Sequence, residues 1–313
     1  MNKTEKLATR AGYGQGLLEV GALHDDLIVL EGDLGAATGS AVFGKTYPER
    51  YIEAGIAEQN EVGMASGLAA VGWVPFVTSF AIFTAGRACE IVRNAVAFNN
   101  MNVKLVGSHS GITSGMDGGS HRCIEDLAWM KAIPGMVVLN PCDYNQTRLM
   151  VRKMYEYDGY CYMRTSREPV YNVTTMEDDI EIGKAQVLRE GKDLTIAATG
   201  IMTTFVMEVA EKLAEEGIEA TVLNYHTIKP FDAETLVDHV GKTGNLLTVE
   251  EHNKFGGLTE SCRSALFNRV ENIRFDYVAI EDRFGETGNR QSLYPIFGLD
   301  NETIYRKAKA LVK

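Results

Sequence analysis

The sequence predicts an α/β protein of two three-layer α/β/α domains, each built on a mainly parallel sheet. Three observations carry this. Apolar runs of strand length alternate with segments of helical periodicity along the whole chain. The strand-like runs read as buried, as in a sheet covered on both faces. The composition changes once, where Pro169 and the polar run NVTTMEDD (172–179) interrupt the alternation.

In the first half, DLIVLEGDL (26–34) reads as a buried strand ending in a Gly-Asp turn. WVPFVTSF (73–80), NVKLVGSH (102–109) and GMVVLNP (135–141) follow as further strands, with helical segments between them such as 87–99. In the second half, DLTIAATG (193–200), EATVLNY (219–225) and NLLTVEEH (245–252) are strands. Residues 202–216 form an amphipathic helix with Phe205, Val206, Val209, Ala210 and Leu213 on one face. YHTIKPFD (225–232) reads as a strand leading to a helix capped by Asp232, with Pro230 stopping the strand. The expected division is a domain over 1–170, a linker over 171–188 centred near residue 180, and a second domain over 189–313.

A chain of 313 residues can bury two cores. Its 45% hydrophobic and 23% charged residues are those of a soluble globular protein. A net charge of −11 argues against nucleic acid as a partner, while leaving room for a local basic pocket for a phosphorylated metabolite. MNKTEKLATR has no apolar core of a secretory signal, and no run approaches the roughly 18 apolar residues of a membrane span. Five scattered cysteines without a CxxC pair read as reduced thiols rather than a disulfide scaffold or zinc site. The expectation is a cytoplasmic protein that binds no membrane.

Four segments carry candidate chemistry. In YIEAGIAEQN (51–60), Glu58 opens a helix crowded with Gly63, Ala65, Ser66, Gly67, Ala69 and Ala70. A carboxylate against a tightly packed apolar surface needs a proton or a partner. In VTSFAIF (77–83), Phe80 and Phe83 follow a strand three residues apart; they stack on a flat heterocycle or fill the core. The loop GSHSGITSGMDGGSH (107–121) brings His109, Asp117 and His121 onto flexible backbone suited to hydroxyls, phosphate and proton transfer. It lacks further ligands at a recognisable metal spacing, so no metal site is expected. In MRTSREP (163–169), Arg164 and Arg167 are forks for phosphate or carboxylate, or plain surface arginines. His226, Glu250, Glu251 and His252 read as structural or interface residues.

The ordered set GIAEQN, TSFAIF, SHSGITSGMDGGSH, SRE resembles the transketolase family across essentially the whole chain. More narrowly, it is similar to the C-terminal half of a split transketolase. The resemblance implies a thiamine-diphosphate-binding (pyrimidine) fold followed by a transketolase C-terminal-like domain. It implies that the pyrimidine end of thiamine diphosphate is bound here, with Glu58 exchanging a proton with the ring nitrogen and Phe80 and Phe83 forming the aromatic pocket. His121 as catalytic residue, helped by Asp117, matches the contact to the donor sugar hydroxyls, and His109 and Arg167 match phosphate-binding positions. Thr38 and Ser40 offer hydroxyls to the phosphate.

This chain departs from the family in four places, one being that no residue is matched to the second phosphate-binding arginine that the resemblance implies upstream of GDL (32–34). The loop reads DGGSH where transketolases read DGPTH, and Ala57 precedes Glu58 where many have arginine. GDG, the diphosphate and cation motif completed by a later Asn, does not occur. The resemblance therefore implies a heteromer, α2β2, whose N-terminal subunit carries GDG and the Mg2+ or Ca2+, alongside a second copy of this chain. Its reaction is the transfer of a two-carbon ketol unit between sugar phosphates. The beta subunit of a 2-oxo acid dehydrogenase and a deoxyxylulose-phosphate-synthase-like half share the layout; a regulatory subunit without catalysis is the reading from another class.

Overall fold

The computed structural model describes residues 2–313. The first half contributes β1 (Asn2–Ala8), β2 (Leu27–Glu31), β3 (Tyr51–Glu53), β4 (Val74–Phe80), β5 (Lys104–Ser108), β6 (Val137–Leu139), β7 (Cys161–Arg164) and β8 (Pro169–Asn172). The second contributes β9 (Gln186–Arg189), β10 (Leu194–Ala198), β11 (Ala220–Asn224), β12 (Thr227–Lys229), β13 (Asn245–Asn253) and β14 (Arg274–Ile280). Helices cross between them, among them Thr9–Gly21, Glu58–Ala70, Tyr144–Glu156, Met202–Glu215 and Ala233–Thr243.

Two sheets carry the architecture. The first runs β12-β6-β7-β5-β4-β2-β3, parallel except for β12, and the second runs β14-β13-β10-β11-β9, parallel except for β9. Every residue of β2, β4 and β5 is buried, the pattern of strands covered on both faces. A separate antiparallel pair, β1 with β8, was not foreseen. Its second strand begins at Pro169, tolerated where a strand starts at a sheet edge.

The linker expected over 171–188 has strand residues at both ends: β8 stops at Asn172 and β9 has already joined the second sheet at Gln186. The second half also reaches back. After β11 the chain lays β12 antiparallel on β6, and Lys229 Nζ donates to the carbonyls of Lys131 (2.9 Å) and Ile133 (2.6 Å). Pro230 ends this strand, through a cis bond, and Asp232 caps the next helix by accepting from Thr235 N. One apolar cluster accordingly runs through both halves, from Val77, Leu105 and Val138 to Leu223, Tyr225, Ile228 and Leu258.

The helix expected over 87–99 is in fact wider. π-helical turns at Ile82–Arg87 and Val92–Ala97 flank a single α turn at Cys89–Ile91. Gly86 admits the Trp129 ring there, since a Cβ would lie 2.9 Å from Trp129 Cζ3. Wide turns of this kind commonly mark functional sites.

Candidate functional site

Adjacent parallel strands β2, β4, β5 and β7 end on one edge of the first sheet, where α/β proteins collect ligands. Phe80 is the last residue of β4, His109 follows β5, and Arg167 follows β7. Topology thus gathers segments far apart in sequence.

Glu58 is the first residue of the helix Glu58–Ala70. The buried stripe of that helix is Glu58, Glu61, Val62, Ala65 and Ser66, a helical i, i+3, i+4, i+7, i+8 pattern with two carboxyl groups at its N-terminal end. There the helix dipole favours negative charge. Glu58 is 2% exposed. The partner its burial requires is Arg87, whose Nη1 lies 3.2 Å from Glu58 Oε2. The Arg87 guanidinium in turn lies over the Phe83 ring, 5.1 Å from its centroid.

Phe83 leads into the aromatic part. Phe80 and Phe83 are nearly parallel at 9° with centroids 6.2 Å apart. Phe80 is buried and packs on His109 at 4.1 Å, whereas the half-buried Phe83 meets the His121 ring edge-on at 5.5 Å. Phe83, Arg87, Gly86, Cys89, Ser120 and Trp129 line an open groove of about 510 Å³. Four predicted residues, Phe80, Phe83, His109 and His121, therefore form one cluster, with Glu58 joined to it through Arg87.

His109 is buried in the left-handed region at φ 58°, with Nδ1 2.9 Å from Ser108 Oγ. His121 Nδ1 is 3.0 Å from Ser120 Oγ. Asp117, expected to assist His121, lies 3.5 Å from Arg167 Nη1, and Gly118 (φ 80°) separates the short 3-10 turns that carry Asp117 and His121. Arg164 is not a ligand fork. It is 2% exposed, its Nε 3.0 Å from Asp126 Oδ2, and it donates to the Glu251 carbonyl at 3.2 Å.

Thr38 and Ser40 are also differently employed. Both hydroxyls donate to Glu31 Oε2, deep in the sheet. Burial pushes the Glu31 carboxyl up to about 7, against the hydrogen bonds from Ser40 and Thr38. Glu61 accepts from Thr78 N at 3.1 Å, while its Oε2 has no hydrogen-bond partner. Burial, then the Glu31 charge, push it up to about 9.

Sequence reasoning passed over Arg87, Glu61 and Arg10. The Arg10 amide donates to the Ser166 carbonyl at 3.3 Å and its guanidinium to the Ala37 carbonyl. Arg10 thus stands beside the Ser166–Arg167 turn. The signal available was its place in LATRAGYG, in the first turn of the first helix and ahead of the Gly-Asp turn.

Among the described residues no group of three His, Cys, Asp or Glu side chains is arranged for a metal, and no helix is long and apolar enough to cross a membrane. All five cysteines are free. A buried carboxyl joined through Arg87 to a groove-facing phenyl ring is a set that suits a flat heterocycle able to exchange a proton.

Residues 5–172 match the transketolase pyrimidine-binding domain and residues 183–304 the transketolase C-terminal domain. Together these define the pyrimidine-binding half of a thiamine diphosphate enzyme. The chain belongs to the transketolase family, and within it resembles the separate C-terminal subunits of split transketolases. It is 41% identical over 300 residues to a transketolase C-terminal section of Methanocaldococcus jannaschii, covering 95% of this chain and 94% of that one. It is 40% identical to a 6-deoxy-6-sulfo-D-fructose transketolase subunit of Clostridium sp. (strain MSTE9), covering 98% and 95%. The transketolase of Homo sapiens is 36% identical over 98% of this chain, which spans 49% of that protein. A solved split-gene transketolase, described as an inactive beta4 tetramer, superposes with a TM-score of 0.90 at 41% identity over 98% of this chain and all of that one.

Proposed function

We propose that this chain is the pyrimidine-binding subunit of a two-chain transketolase, transferring a two-carbon ketol unit from a ketose phosphate to an aldose phosphate. The observation that carries the reading is Glu58, 2% exposed at a helix N-terminus and joined through Arg87 to the groove-facing Phe83. Thiamine diphosphate, when bound, supplies a nucleophilic carbon and an electron sink. Phe83, backed by Phe80, would hold its pyrimidine, and Glu58, paired with Arg87, would be the residue that holds a proton for the ring nitrogen. The groove admits the sugar along the 107–121 loop, where His121 takes hydroxyls and Asp117 fixes Arg167. Arg167, and Arg10 whose amide donates to the Ser166 carbonyl, are the cations offered to the substrate's anionic end.

The GDG string that would hold the diphosphate and cation does not occur in this sequence, so a partner subunit supplies them and the site lies between two chains. Relatives of like length bear names of subunits acting on unlike sugars, a sulfonated fructose and an apulose phosphate, so anion capture is the shared requirement and the sugar is set locally. The test is ketol transfer by this chain mixed with the diphosphate-binding subunit, thiamine diphosphate and magnesium. Glu58→Ala abolishes turnover, a loss of at least 10³-fold on the scale of a lost proton-transfer group; a variant with turnover within a few-fold of wild type removes Glu58 from the mechanism.

A further inference from the structure

The loop that presents Asp117 and His121 is anchored by the other domain. Its two roots meet where Gly111 N donates to the Cys123 carbonyl at 2.7 Å. The C-terminal half holds each root. At the first, Glu251 Oε1 accepts from Ile112 N at 2.8 Å. At the second, Asn253 N donates to the Ile124 carbonyl at 2.8 Å. Arg164 spans both, donating to the Glu251 carbonyl at 3.2 Å and lying 3.5 Å from the Cys123 carbonyl.

The fit around Glu251 is close. Gly111 adopts φ 67°, and a Cβ there would lie 2.3 Å from Glu251 Cδ. The tip of the loop is covered by the same half. Arg122 Nη2 donates to the Glu286 carbonyl at 2.7 Å, and a Cβ on Gly118 would lie 3.0 Å from Thr287 Oγ1. Glu251 belongs to β13, a buried strand of the second sheet, and the hydrogen bond of its carboxylate leaves that domain. Burying a carboxyl group that is 5% exposed is costly; its gain is the loop it ties.

We infer that Glu251 is a positioning residue for substrate binding, fixing from the C-terminal domain the loop that carries Asp117 and His121. This rests on the proposed roles of His121 at the sugar hydroxyls and of Asp117 in fixing Arg167. Arg164, Arg122, Asp126 and Glu168 are the charged groups around it. Burial pushes Glu251 up to about 8, with Arg164 opposing, so a neutral amide reproduces the group near pH 7.

The experiment compares wild type, Glu251→Gln and Glu251→Ala by amide hydrogen exchange of the full chain, then by kinetics of the two-subunit enzyme. Glu251→Ala speeds exchange in peptides covering 109–123 at least tenfold while β10 and β11 stay protected, and Glu251→Gln exchanges as wild type. In the enzyme, Glu251→Ala raises KM for the sugar phosphate at least tenfold with cofactor affinity unchanged, and Glu251→Gln restores it. Unchanged loop exchange in Glu251→Ala overturns the inference, as does faster exchange spread through the whole second sheet. A loosened loop with unchanged KM leaves Glu251 as its anchor and instead overturns the roles given to His121 and to the Asp117–Arg167 pair in substrate binding.

Discussion

Two carboxyl groups one helical turn apart, Glu58 and Glu61, meet different fates. Glu58 has Arg87 beside it, while Glu61 faces the end of β4 and keeps an oxygen without a hydrogen-bond partner. Glu61 is therefore held protonated, its carboxyl pushed from 4.5 to about 9. A raised folded-state value means that the stabilising contribution is complete below pH 4.5 and is lost as pH rises towards about 9. Replacing Glu61 by Gln keeps the acceptor for Thr78 N and removes the titration. Glu61→Gln should match wild type in thermal unfolding near pH 5 and exceed it at pH 7 by on the order of 3 kcal/mol. Parallel pH–stability curves for the two proteins would show that Glu61 is ionised in the fold. Glu58 was legible in the sequence because a carboxylate beside small residues is conspicuous. Glu61 was not, since a glutamate three residues on looks like an ordinary solvated side chain until β4 is laid across it.

The helix Glu58–Ala70 shows what an element can be shaped for. Its outer face carries Gly63 and Gly67, exposed, with nothing within 4 Å of where a Cβ would be. Mid-helix glycine costs roughly 0.5–1 kcal/mol against alanine, and nothing in this chain requires it at these positions. Gly63→Ala and Gly67→Ala should each stabilise the isolated chain by about 0.5–1 kcal/mol in urea unfolding, and bulkier residues there should weaken association with the diphosphate-binding subunit. Loss of stability on the alanine change would mean that the glycines serve this fold and not an approach from outside. The inner strands β2, β4, β5, β6, β10, β11 and β13 were readable because each is a short apolar run flanked by turn residues, whereas the edge strands β3, β9 and β14 were not read. The wide turns at Ile82–Arg87 and Val92–Ala97 were not, because the same residues suit an α-helix and only the Trp129 ring against Gly86 reveals the difference.

At the scale of the molecule, the two domains are distinct in topology and joined in packing. Strand β12 completes the first sheet from the second half, and one apolar cluster runs through both. Non-local pairing of this kind leaves no trace in local periodicity: HTIKP reads as a strand in the sequence without any mark of which sheet it joins. A fragment ending at residue 185 should expose the edge of β6 and the apolar faces of Val138 and Leu105, and should aggregate or bind a hydrophobic dye where the full chain does not. A monodisperse, cooperatively unfolding fragment would show the first domain to be self-sufficient.

Thiamine diphosphate should be held between this chain and a second one. Calorimetric titration of thiamine diphosphate with magnesium into this chain alone, into the diphosphate-binding subunit alone and into their mixture tests it directly. Saturable binding at micromolar cofactor is expected for the mixture, none of comparable strength for this chain, and a marked weakening when Glu58 is replaced by Ala. Equally tight binding to this chain alone would contradict it.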